Sequence, residues 1–291
     1  MNLLEIIFLF FFWAWVLSAV LFIRHTAVPR RGTVRNEPEQ LLGERVQFRA
    51  TDGVRLSGVK FGGHTERPWI ILCHGLASNS DDMRGLATML HASQFNVFFF
   101  DFRAHGGSAG RTTSFGWQER CDLEGALAFL GQQADVPDRP YGIFGISMGA
   151  AVALMLAGSD ERLGAIIADS PYGSLAEALV RHLRLRYPLI PPVPFGWFVW
   201  SAYRLRFRVW PQAIAPRRSV AGIGPRPLLV IYGDQDPQIV PSSINALVEG
   251  RDRESLWIIP EAGHPEHCRV GTASYPERIR SFFEEWLYGN R

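Results

Sequence analysis

Six short runs, apolar on both faces and each ending at a turn-forming or polar residue, constrain this chain more than any other feature. They are residues 69–73 before His74-Gly75, 97–100 before Asp101, 141–144 before Gly145, 165–168 before Asp169, 228–232 before Gly233, and 256–259 before Pro260. A strand with one solvated face alternates between apolar and polar residues. A strand that is apolar throughout is covered on both faces and belongs inside a parallel sheet. Helical periodicity fills the intervals. Leu123, Ala126, Leu127 and Leu130 recur at i, i+3, i+4 and i+7, and residues 81–91 and 275–288 also read as helices. Ahead of these, 46–49 and 54–59 alternate about the turn Thr51-Asp52-Gly53, which predicts a hairpin adding antiparallel strands at one edge. The expected architecture is α/β: a mostly parallel, doubly wound sheet of about eight strands.

The 291 residues fit one large domain over 44–291. A net charge of +2 is no sign of a nucleic-acid partner. Cys73, Cys121 and Cys268 are far apart and odd in number, which suits a reducing compartment better than a disulfide framework. No Cys/His pairing at zinc-ligand spacing occurs.

The amino terminus differs in kind. No charged residue falls between Ile6 and Ile23, a run of 18 positions, long enough for a helix to span a bilayer. No cation precedes the run and no Ala-x-Ala site follows it, so a cleaved signal peptide is disfavoured. The sequence therefore predicts a single-pass anchor over 1–24, meeting the membrane through residues 4–23, and a linker over 25–43. Arg24, Arg30, Arg31 and Arg35 follow the run, and cationic flanks place the domain in the cytoplasm. Residues 172–224 hold no clear strand. They carry clustered aromatics, arginines and prolines, and read as a helical cap over the sheet.

The chemistry is concentrated at Gly145-Ile146-Ser147-Met148-Gly149. A buried strand precedes it and a run of small residues follows, giving the strand–turn–helix setting of a nucleophile elbow. Glycines are needed because the turn is too sharp for neighbouring side chains. Ser147 then requires a base oriented by an acid. His264 follows the last buried strand, with His267 as its rival. Asp234 and Asp236 follow the strand before, and Asp169 is a third candidate acid. Asp236 lies further into its loop, better placed to reach the base, whereas Asp234 at the strand end could brace the turn. The backbone N–H groups of Leu76 and Met148 are the expected oxyanion hole.

These motifs, with Asp101-Phe102-Arg103-Ala104-His105-Gly106-Gly107-Ser108, occur in an order that resembles the α/β-hydrolase superfamily over about residues 44–288, in its esterase-like and serine-aminopeptidase-like group. The resemblance implies a Ser147–His264–Asp236 triad acting by acyl transfer on a small-molecule or lipid ester or thioester. It implies no metal and no organic cofactor, and a bracing rather than catalytic role for Arg103 and His105. A peptidase on the same triad and a non-catalytic scaffold are the competing readings.

Overall fold

In the computed structural model, which describes residues 2–29, 43–137, 139–189, 191–264 and 274–288, eight strands form one sheet in the order β1-β2-β4-β3-β5-β6-β7-β8. The hairpin β1 (Glu44–Arg49) and β2 (Arg55–Phe61) is antiparallel and sits at one edge, where β2 also runs antiparallel to β4 (Asn96–Phe100). The rest pair in parallel: β3 (Trp69–Cys73), β5 (Tyr141–Ile146), β6 (Leu163–Asp169), β7 (Leu228–Gly233) and β8 (Leu256–Ile259).

The double-sided apolarity of the strands feeds two cores. Ile71, Cys73, Phe98, Phe100 and Val230 point into one layer, and Ile70, Leu72, Val97, Phe99, Leu229 and Ile231 into the other. The period of two along each strand makes that division. Residues of α3 (Glu119–Gly131), α4 (Met148–Ala157), α7 (Pro216–Ile223) and α8 (Pro241–Val248) complete the first core. Those of α2 (Arg84–Ala92) and α9 (Ser274–Tyr288) complete the second. Strand order reverses between β3 and β5, so the loops leaving their carboxyl ends diverge and open a crevice, the usual place for a ligand in such sheets.

Between β6 and β7, α5 (Leu175–Arg186) and α6 (Pro192–Phe207) pack on each other, while α7 packs on α4 and belongs to the layer covering the sheet. The expected cap thus divides: α5 and α6 stand over the carboxyl edge and α7 does not.

The amino-terminal expectation needs correction. Residues Leu3–Thr26 do form a helix, α1, but among the described residues no helix is long and apolar enough to cross a membrane. Its packing ties it to the domain instead. Ala19, Phe22, Ile23 and Ala27 are buried in the same core as the sheet, and Trp15 meets Phe195 and Phe198 of α6 edge to face. The Ala27 carbonyl accepts a 2.9 Å hydrogen bond from the Thr113 N–H, so the start of the expected linker is also docked on the domain. Residues 30–42 of that linker lie outside the described residues, as do His267 and Cys268.

Candidate active site

Ser147 occupies the turn between β5 and α4 with φ 52° and ψ −110°, a conformation costly for a residue with a side chain. The surroundings enforce it. A Cβ on Gly149 would lie 2.3 Å from the Cys73 carbonyl oxygen, and one on Gly145 would lie 2.5 Å from the Gly149 backbone. Strand β3 and helix α4 approach so closely only because Gly149 lacks a side chain, and the turn from β5 into α4 closes so tightly only because Gly145 does. The Ser147 N–H is tied by 2.8 Å to the Asp169 carbonyl. Its hydroxyl stands at the amino end of α4, where partial positive charge from unpaired backbone N–H groups gathers.

His264 Nε2 lies 3.0 Å from Ser147 Oγ, and His264 Nδ1 lies 2.6 Å from Asp236 Oδ2. A carboxylate only accepts, so Nδ1 carries the ring proton and donates it to Asp236. Nε2 therefore keeps its lone pair toward the serine hydroxyl. Asp236 is itself held: its Oδ1 accepts from the N–H groups of Gln238 at 2.7 Å and Ile239 at 3.1 Å. Asp234, the neighbouring candidate, points elsewhere. Its carboxylate accepts the Glu261 N–H at 2.7 Å and braces the loop that carries His264. Asp169, the third candidate, is buried and accepts hydrogen bonds from Ser170 Oγ at 2.9 Å and from the Tyr275 hydroxyl.

Met148 is the first residue of α4, so its N–H has no carbonyl one turn earlier to bond. Leu76 follows Gly75 after β3, and Leu76 and Met148 line the same pocket as Ser147 and His264. The loop bearing Leu76 is clasped by two histidines that the sequence marked only as motif letters or as bracing. His74 is fully buried. Burial, with His105 alongside, pushes its pKa down to about 4, so the ring is neutral at pH 7. Its Nε2 accepts the Phe102 N–H at 3.0 Å, which leaves Nδ1 to donate to the Gly75 carbonyl at 2.7 Å. His105 Nδ1 faces the Arg103 carbonyl at 2.8 Å while its Nε2 accepts the Ala77 N–H at 3.3 Å. Arg103 points away from Ser147. It forks onto Asp122 and Asp52, joining the loop after β4 to α3 and to the β1–β2 turn.

The fold, the elbow and the crevice are those of one family. The chain belongs to the alpha/beta hydrolase family. That family's profile matches residues 70–280. The uncharacterized protein YqkD of Bacillus subtilis (strain 168) is 30% identical over 240 residues, covering 80% of this chain and 76% of that protein. The thiohydrolase aneE of Aspergillus aculeatus is 27% identical, covering 83% of this chain and 71% of its own. Among solved structures, the Pyrococcus furiosus esterase Pf2001 superposes with a TM-score of 0.73 at 25% identity, covering 89% of this chain and 99% of the esterase.

Within this hydrolase the pocket at Ser147 is small, about 100 Å³, and mostly apolar. Phe115, Tyr172, Leu175, Leu179 and Ile239 line it from the domain and cap. Phe22 and Thr26 line it from α1. Sequence reasoning missed these last two, having placed one in an anchor and the other in a linker. No local signal separates an apolar helix destined for lipid from one destined for a protein groove.

Proposed function

We propose that the chain is a serine hydrolase that cleaves a carboxylic ester or thioester by acyl transfer. The observation that carries this reading is the unbroken hydrogen-bonded line from Ser147 Oγ through His264 to Asp236, placed at a strained elbow and opening on an apolar pocket. Ser147 Oγ attacks the carbonyl carbon as His264 Nε2 takes its proton. The oxygen that becomes negative is met by the N–H groups of Leu76 and Met148, and Asp236 stabilises the imidazolium. His264 then returns the proton to the leaving oxygen or sulfur, and water repeats the sequence on the acyl-enzyme. The names of two similar proteins, an esterase and a thiohydrolase, support this bond class.

The test is turnover of a p-nitrophenyl ester and labelling by a fluorophosphonate. Ser147→Ala should lose on the order of 10⁴-fold or more in kcat and all labelling, as disruption of a triad does elsewhere. Wild-type activity in that variant would sink the assignment. An aminoacyl amide offered in parallel separates the esterase from the peptidase reading.

A further inference from the structure

Helix α1 has two apolar faces with different fates. Trp15, Ala19, Phe22 and Ile23 turn toward the domain and pack there. Trp13, Leu17 and Leu21 lie on the other side, 62%, 59% and 53% exposed, in line with exposed Ile6 and Leu9 one turn and more before them. That spacing of three and four residues makes a single stripe along the helix. Monomeric soluble proteins rarely show a contiguous stripe of this size to water.

The stripe leads to the pocket. The chamber at Ser147 adjoins a larger groove of about 740 Å³, and the two share Phe22, Thr26, Leu76 and His182. Leu21 of the exposed stripe lines the groove, as does Arg186. The inner face of α1 is therefore a wall of the chamber, and its outer face forms the edge of the groove.

Charge selects what covers the stripe. The cap helices α5 and α6 together carry five arginines and a single acidic residue, Glu177, although the whole chain carries only +2. Exposed Arg186 lines the groove, and exposed Arg24 and Arg206 line the neighbouring pocket at the carboxyl end of α1. An apolar stripe rimmed by cations matches an anionic bilayer, whose headgroups attract the arginines while its acyl region takes the aromatic and aliphatic side chains.

We propose that α1 docks this protein in the plane of an anionic phospholipid surface, and that the groove it walls passes an acyl chain from that surface to Ser147. The passage rests on the serine-hydrolase reading; the docking does not.

The experiment uses the full chain in flotation with vesicles of phosphatidylcholine alone or mixed with phosphatidylglycerol. It adds turnover of a long-chain fatty-acyl ester embedded in those vesicles and of soluble p-nitrophenyl acetate. The wild type should float with the anionic vesicles, lose that binding as salt rises, and be released by alkaline carbonate. The double variant Trp13→Glu/Leu17→Glu should float at least about tenfold less, since each side chain contributes upward of 1.4 kcal/mol when buried. It should lose embedded-ester turnover in parallel and keep p-nitrophenyl acetate turnover, which also reports that it is folded. Equal flotation of variant and wild type overturns the docking. So does indifference of the wild type to lipid charge, a readout that needs no variant, and so does resistance to carbonate, which would mean a spanning helix. Intact flotation with no wild-type turnover of either ester overturns the passage together with the hydrolase reading.

Discussion

His74 touches no reacting atom in the proposed mechanism, yet it holds the loop that presents the Leu76 N–H, and it does so as a neutral ring. Its unfolded pKa is near 6.5 and its folded value is about 4. Between these values the unfolded chain binds the proton that the folded chain refuses, so this stabilising contribution is complete above about pH 6.5 and is lost as pH falls toward 4. Asp122 carries the opposite trend, since burial pushes its carboxyl up to about 7 against the pull of Arg103. The His74 share must therefore be isolated by difference. The stability gap between wild type and His74→Gln should narrow by about 2 kcal/mol from pH 7 to pH 5, read by urea unfolding at each pH. A gap independent of pH would show that the ring titrates in the fold as it does in the unfolded chain, and a gap that widens toward pH 5 would show that it is already charged there.

At the scale of elements, α1 behaves as a part of the domain. It contributes Ala19, Phe22 and Ile23 to the main core and Phe22 and Thr26 to the pocket. Burying one large apolar side chain stabilises by about 1.5–3 kcal/mol. Deleting residues 2–26 should therefore lower the thermal midpoint on the order of 10 °C, checked by calorimetry or circular dichroism. A detached anchor predicts no change. The apolar run of α1 was legible in the sequence, and so was its helical state. Its destination was not, because lipid and a protein groove both select uncharged residues. The strands were easier to read. A run such as 228–232, covered on both faces, has no other stable environment in a domain of this size.

Across the whole molecule, Arg103 is the long-range tie. It joins residues 51 and 19 positions away, Asp52 in the hairpin turn and fully buried Asp122 on α3. Arg103→Ala would leave the Asp122 carboxyl buried without its cation and guanidinium donors, and should cost about 3–5 kcal/mol in urea unfolding. Turnover per folded molecule should stay within a few fold, since Arg103 points away from Ser147. A larger fall in turnover than in stability would give Arg103 a direct role at the site. The sequence alone determined the order of strands and helices, the elbow at Ser147 and the short set of partners it could have, because those depend on burial period and on steric demands confined to a few consecutive residues. Only the tertiary structure brings Asp236, the acid the sequence already favoured, onto His264, with Asp234 spent on the Glu261 N–H. It alone also turned an apolar amino-terminal helix into a wall of the pocket. Both outcomes depend on where segments separated by tens to hundreds of residues meet, and no local pattern of side chains encodes that distance.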